Sequence, residues 1–408
     1  MMTLVDQIIV KKQNPLFEKL DYLCALSKNL YNATLYRVRQ HYFETKQHLG
    51  YSKLNQIMKD EKNPDYYALP TKVGQQTQRL VDQNFRSFFG SLRKKKSDHS
   101  FDQDCHIPKY LPKDGRQVVM YTNQAISTKV KGFVNPSGTD IMIPTKRDKI
   151  QFLRIVPHGT HITIEIGYRV ETPEKPDKPK NNSIAAIDLG VDNLATLTFS
   201  DAKPIIYNGK PVKSVNQFFN KIQAQLRSKQ CEGNREYRTT NSMLALSNWR
   251  YNRIKDYFHK VSREIVNQLV LHNVSMLVIG YNKGWKQDTN IGKKNNQKFV
   301  SIPHLMLVQM IEYKCELAGI LCVRQEESYT SKCSFLDKEP ICKKEKYFGR
   351  RVHRGLYKSS TGIKLNADVN GSLNIMRKNL KVVWKTDLYE FVDQIEACST
   401  PSVFTVKR

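Results

Sequence analysis

The chain has no run of about 18 apolar residues, so its sequence offers no membrane-spanning helix. Its opening, Met1-Met2-Thr3-Leu4-Val5-Asp6-Gln7, lacks the basic-then-apolar pattern of a secretory leader, and a cytosolic location is expected. Closely paired cysteines are missing too. The eight present (Cys24, Cys105, Cys231, Cys315, Cys322, Cys333, Cys342 and Cys398) are scattered, which fits reduced thiols rather than a disulfide framework. Acidic residues are scarce: 38 against 66 Lys and Arg, a net charge of +28 over 408 residues. Such an excess calls for a large polyanionic partner, most simply nucleic acid. The basic residues spread over the whole chain, which favours broad binding channels over a localisation signal.

Thr3–Lys12 is apolar and β-branched and predicts a strand. After Pro15, the residues Leu16, Leu20, Leu23, Leu26, Leu30 and Ala33 recur every three or four positions, predicting a helix with one buried stripe. Tyr31, Tyr36, Arg37 and Arg39 fall mostly off it. Helical structure is expected, with breaks, to about Lys96. Within it, Gln75, Gln76, Arg79, Gln83, Arg86, Lys94 and Lys95 stand out. Amides read base edges and cations neutralise phosphates; an ordinary solvated helix face over Leu80, Phe85, Phe88 and Phe89 is the other reading. From Gln117 to Val170 the period changes to two, with Ile162, Ile164, Ile166, Tyr168 and Val170 alternating against polar residues. These strands predict a small antiparallel barrel, with Thr3–Lys12 as an extra strand and the helices inserted into it. Glu171–Asn182 carries three prolines and alternating charges, and is the clearest domain boundary.

The stretch around which the rest is arranged is Ile184–Thr198. An apolar run ends in Asp188, turns at Gly190 and returns through Leu194 and Leu197, predicting a buried hairpin. A carboxylate at the end of a buried strand needs compensation. It is either a turn aspartate capping backbone N–H groups or a ligand for a divalent cation. Asp368 opens a second such stretch, with Val369, Leu373 and Met376 at helical spacing behind it; it caps the helix or faces a cleft. Between the two lie helices over Val215–Arg227 and Asn241–Leu271, a strand over Ser275–Ile279, a helix over Pro303–Ala318 and a strand over Ile320–Arg324. The helix Asn241–Leu271 carries Arg250, Arg253 and Lys260, candidates for phosphate contacts. Val382–Ile395 predicts one more helix.

Three motifs, Ile187-Asp188-Leu189-Gly190-Val191, Tyr329-Thr330-Ser331-Lys332 and Asp368-Val369-Asn370-Gly371-Ser372-Leu373-Asn374-Ile375, together resemble the RuvC-like nuclease core of TnpB proteins. These are OrfB-type proteins of bacterial insertion sequences and relatives of type V CRISPR effectors. The resemblance covers most of the chain and is strongest from Ile184 to Lys378. It implies a multidomain fold of α+β and α/β parts: a first barrel strand over 1–14, a helical recognition lobe over 15–110, a β-barrel wedge over 111–170 and a linker over 171–182. An RNase H-like (RuvC) nuclease domain follows over 183–380, with a degenerate zinc-ribbon-like insertion near 328–364, then a C-terminal tail over 381–408. It also implies that the helix carrying Gln75 to Lys95 meets the DNA duplex beside the target.

The family pattern has a glutamate closing the strand that here ends Leu277-Val278-Ile279-Gly280, and glycine offers no ligand. The next strand leads into Glu326 and Glu327. Neighbouring strand residues point to opposite faces, so one of the pair can replace it: Glu327 first, Glu326 in reserve. Some branches of the family resemble this chain in that exchange. The activity implied is an RNA-guided, Mg²⁺-dependent DNA endonuclease of transposon origin. Asp188, Glu327 and Asp368 would hold two Mg²⁺ ions, with guide RNA from its own locus and double-stranded target DNA as partners. The alternatives are a nuclease-dead RNA-guided DNA-binding protein and a DNA strand-transfer transposase. Where the family has two Cys-x-x-Cys pairs, only Cys333 and Cys342 remain, with His353 a distant third, so no zinc is expected.

Overall fold

The computed structural model describes residues 1–98, 101–174, 183–231, 238–282, 284, 292–380 and 401–405. It divides into two compact units, Met1–Glu171 and Thr172–Arg408.

In the first unit, β1 (Met2–Lys11) leads into α1 (Phe17–Thr45), α2 (Tyr51–Asp60), α3 (Pro64–Tyr67) and α4 (Thr71–Ser97). The chain returns through β2 (Val119–Thr122), β3 (Ile126–Ser127), β4 (Phe133–Pro136), β5 (Ile143–Pro144), β6 (Ile150–Pro157) and β7 (His161–Val170). β1 pairs antiparallel with β7 over its full length, from Met2 opposite Val170 to Lys11 opposite His161. The helices are therefore an insertion between two neighbouring strands. The strands form a four-stranded sheet in the order β1-β7-β6-β2 and a separate three-stranded sheet, β3-β4-β5.

One apolar core joins Leu20, Leu30 and Val38 of α1, Val81 and Phe85 of α4, and Ile155 and Ile164 of the sheet. The buried stripe of α1 differs from the expected one by including Tyr31, which is 4% exposed. Its hydroxyl accepts a hydrogen bond from the Asn84 amide at 3.0 Å, so α4 gives the phenol a polar partner inside the packing.

The second unit begins with β8 (Ile184–Leu189), β9 (Asn193–Phe199) and β10 (Ile205–Asn208), then α5 (Lys210–Cys231), α6 (Asn241–Leu271) and β11 (Met276–Gly280). α7 (Lys293–Val300), α8 (His304–Leu317) and β12 (Leu321–Gln325) follow. Three short strands, β13 (Arg350–His353), β14 (Leu356–Lys358) and β15 (Lys364–Asn366), form a small sheet of their own before α9 (Ala367–Asn379). β16 (Ser402–Phe404) completes the described part. The expected helix over Val382–Ile395 and most of the Glu171–Asn182 linker lie outside the described residues.

Among the described residues the main sheet runs β12-β11-β8-β9-β10-β16. β8, β11 and β12 are parallel, and β9 is antiparallel to β8. Alternation sorts the strand residues onto two cores. Ala185, Ile187, Leu277 and Ile279 pack with α6 and α8. Ile184, Ala186, Met276 and Val278 pack with Val369, Leu373 and Met376 of α9. Both faces are covered, which is why β8 and β11 read as continuous apolar runs. The same alternation assigns Asp188 and Gly280 to the α9 face.

Candidate active site

Asp188 is the fifth residue of β8, and Asp368 the second of α9. Asn366 caps α9, accepting from the N–H groups of Asp368 at 2.9 Å and Val369 at 3.3 Å. The cap is thus Asn366, and the Asp368 carboxylate is left to face the sheet end. Ser372, one turn further on, fixes α9 to the hairpin: its hydroxyl donates to the Ala186 carbonyl at 3.0 Å and lies 2.8 Å from the Thr198 hydroxyl. Gly371 lets the helix come close. A Cβ there would lie 2.7 Å from Asp188 Oδ2, too near for any side chain without a shift.

The glycine at 280 has a carboxylate for a neighbour. Ile279 pairs with Ile187, so Gly280 ends its strand beside Asp188. On its other side Gly280 pairs with Gln325 of β12, two residues before Glu327. A Cβ on Gly280 would sit 2.7 Å from Glu327 Oε2 and 2.5 Å from Ile375 Cδ1. The Glu327 carboxylate therefore stands in the space that a side chain at 280 would enter. Asn282 holds it reciprocally: the Asn282 amide donates to Glu327 Oε1 at 3.3 Å and its Oδ1 accepts from the Glu327 N–H at 3.0 Å. Glu327 Oε2 is buried with no hydrogen-bond partner. Glu326 points elsewhere, into exposed contacts with Lys378 and Ser328.

Electrostatics tie the acids together. The Asp188 carboxyl is pushed well above the usual carboxylate range, first by burial and then by the charges of Glu327 and Asp368, with Arg351 opposing. Burial, then the Glu326 charge, pushes Glu327 up to about 7, with Lys378 opposing. Asp368 is held by two donors, Asn193 Nδ2 at 2.7 Å and Arg351 at 3.0 Å. In this arrangement no three His, Cys, Asp or Glu side chains among the described residues close to metal-ligand spacing. Arg351, Asn193 and Asn282 were not foreseen from the sequence. Asn282 could have been noticed from its place two residues beyond the strand end that lacks an acid.

The candidate nucleic-acid residues divide. On α4, Arg79, Gln83, Arg86, Lys94 and Lys95 are exposed, while Gln75 and Gln76 are half-buried. Arg79 stacks on Tyr51, with its guanidinium 4.1 Å from the ring centre; Arg86 pairs with Asp82 and Lys95 with Asp104. On α6, Arg253 is exposed, and Lys260 is exposed and paired with Asp256. Arg250, the third candidate on this helix, is half-buried and has partners within the protein. Its guanidinium donates to Asn216 Oδ1 at 2.6 Å and to the Ser301 carbonyl at 2.7 Å, so it ties α5 and α6 to the segment before α8. Cys333 is buried and Cys342 exposed, both as free thiols; His353 is exposed on β13.

A mixed α+β chain of two units, with three acids at one end of a largely parallel sheet, has the fold of the Cas12 effectors. The cryo-EM structure of a Cas12f1–sgRNA–target DNA complex superposes with a TM-score of 0.53 at 13% identity, covering 88% of this chain and 82% of that one. The family model described as probable transposase, OrfB_IS605, matches residues 167–286, and the Cas12f1-like TNB domain matches residues 304–375. The TnpB-like protein ORF457 of Acidianus two-tailed virus is 26% identical over 243 residues. That alignment covers 55% of this chain and spans about half (50%) of the viral protein's length. These matches make the chain similar to TnpB-like proteins over its second unit. No helix among the described residues is long and apolar enough to cross a membrane.

Proposed function

We propose that the protein is an RNA-guided DNA endonuclease of transposon origin, acting in the prokaryotic cytoplasm and cutting DNA beside a short flanking motif. The observation that carries this reading is the convergence of Asp188, Glu327 and Asp368, from three separate elements, at one end of the sheet. All three offer oxygen donors, the chemistry preferred by Mg²⁺. Glu327 Oε2 is buried without a partner, and the raised Asp188 and Glu327 carboxyls mark a pocket short of positive charge. These features fit the divalent ions of a RuvC-type site, and the same three residues would hold them. When bound, two Mg²⁺ ions supply activation of the attacking water and stabilisation of the leaving oxygen.

The chain's own residues do the rest. Asn282 orients Glu327 into the space left by Gly280. Gly371 admits Asp188 against α9. Arg351, half-exposed beside Asp368, is placed to meet a phosphodiester oxygen entering the pocket. The exposed cations of α4 and α6 suit phosphate backbones, and guide pairing would choose the sequence. The sheets of the first unit would serve as a barrel wedge carrying the helical lobe. The insertion over 328–364 would act as a ribbon without zinc.

The test is cleavage of a plasmid with a randomised flank by protein co-expressed with its own downstream locus. Metal-dependent cutting that disappears in Asp188→Ala and Glu327→Ala is expected. RNA-dependent binding without cutting would instead favour the nuclease-dead reading, which the glycine at 280 motivates. Strand joining without RNA would favour a transposase.

A further inference from the structure

The segment from Thr330 to Phe348 has little regular secondary structure, yet it carries Glu327 just before its start and Arg351 just after its end. What shapes it is a single carboxylate. Glu339 is fully buried, at 0% exposure. Its Oε2 accepts from the Ser334 N–H at 2.8 Å; its Oε1 accepts from the Phe348 N–H at 3.1 Å and from Lys344 Nζ at 3.2 Å. Its own N–H donates to the Ser334 carbonyl at 3.1 Å, and its carbonyl accepts from Arg377 of α9 at 2.5 Å. A buried charge is tolerated only when paired and hydrogen-bonded, and this one is both.

Helix α9 completes the fixture. Asn374 donates to the carbonyls of Thr330 at 2.9 Å and Cys333 at 2.7 Å, and Thr330 in turn donates through its hydroxyl to the Glu327 carbonyl at 2.8 Å. The helix that presents Asp368 therefore also grips the loop that presents Glu327. Glu339 bridges the two ends of that loop, Ser334 on the Glu327 side and Phe348 three residues before Arg351.

We infer that Glu339 is a positioning residue: its buried carboxylate closes the loop and fixes Glu327 and Arg351 relative to Asp368, without a metal in the loop. The inference rests on the proposed cation site for its effect on binding, but not for the loop closure. Glutamine cannot replace it. Both carboxylate oxygens face N–H donors, so either amide orientation sets an NH₂ group against one of them. Aspartate keeps the charge with a shorter reach.

The experiment uses the purified full chain as wild type, Glu339→Gln, Glu339→Asp and Lys344→Gln, with Glu327→Gln as reference. Amide hydrogen exchange reads the loop, and Mn²⁺ titration followed by the free-ion EPR signal reads the site. In Glu339→Gln, exchange at Ser334 and Phe348 is expected to be about tenfold faster, and Mn²⁺ binding about tenfold weaker. Glu339→Asp should recover part of both. Should Glu339→Gln not fold, Lys344→Gln, which removes one donor only, should show the same two changes at smaller size.

Unchanged exchange in the variants overturns the loop closure. Faster exchange with unchanged Mn²⁺ affinity overturns the positioning role. Loss of wild-type protection on treatment with 1,10-phenanthroline overturns it too, because a metal would then be closing the loop. If Glu327→Gln binds Mn²⁺ as wild type does, the cation reading fails by itself, and exchange still decides the loop closure.

Discussion

Glu327 Oε2 lies 2.7 Å from the point where a Cβ on Gly280 would stand, so the glycine and the glutamate on the neighbouring strand's extension share one place. Gly280→Ala alone should displace the carboxylate and reduce metal-dependent cleavage by about 100-fold, since small misplacements at a reacting centre are costly. The exchange Gly280→Glu with Glu327→Gly returns a carboxylate from the other strand, on the same face. It should recover about tenfold over Glu327→Gly alone. Single-turnover cleavage of a plasmid target measures both, and a Gly280→Ala enzyme as fast as wild type would refute the shared placement.

Arg351 pairs with Asp368 at 3.0 Å and opposes the raised pKa of Asp188. It competes with any cation for these carboxylates. Arg351→Gln should therefore tighten Mn²⁺ binding about threefold at low ionic strength, with the gain fading as salt is added. Isothermal titration at two salt concentrations checks this, and weaker binding in the variant would contradict it.

The acids also set a pH dependence. Glu327 is raised from its ordinary range to about 7, and Asp188 is raised as well. Their stabilising contribution is fully present below the unfolded-state pKa and is lost as pH rises through the folded value. For Glu327 that window runs from about 4.5 to about 7. The metal-free chain should melt at higher temperature at pH 5.5 than at pH 8. Glu327→Gln should flatten that difference, and Mg²⁺ should raise the pH 8 value most. Thermal melts of wild type and variant, with and without Mg²⁺, decide it.

Lys314 is buried between α8 and α6, donating to the His259 carbonyl at 2.9 Å and to the Ser262 hydroxyl. Burial pulls its ammonium down to about 8. Below that pH, folding must bury a charge that no acid partners among its hydrogen bonds. Lys314→Met should leave stability unchanged or raise it by about 1 kcal/mol at pH 7, with the advantage shrinking toward pH 10. A drop of the same size in urea melts would show that the two hydrogen bonds outweigh the charge.

Arg250 and Arg253 stand three residues apart on α6 yet differ in kind. Arg250→Ala removes the bonds to Asn216 and Ser301 and should cost about 2 kcal/mol of stability. Arg253→Ala should change stability by less than about 0.5 kcal/mol and weaken nucleic-acid binding, with a shallower salt slope. Urea melts and filter binding separate the two.

The strands and helices were legible because their signals are local. β8 and β11 are short apolar runs closed by Asp188 and Gly280, and α6 and α9 repeat apolar residues at helical spacing. The neighbouring positions of β11 and β12 could be anticipated from their place in the chain, which brought Glu327 into consideration. The insides of contacts were not legible. Nothing local marks Arg250 as turned inward or Tyr31 as buried, because their partners Asn216 and Asn84 lie tens of residues away. Arg351 and Glu339 sit in a stretch that reads as solvated basic loop, and only α9 folding back against it gives either residue its place.

The short strand Ser402–Phe404 lies parallel to β10, with Ile206 opposite Val403. Without that strand, β10 would be the open border of the sheet. A variant lacking Ser402–Phe404 would present the unpaired N–H and C=O groups of β10 to any passing strand.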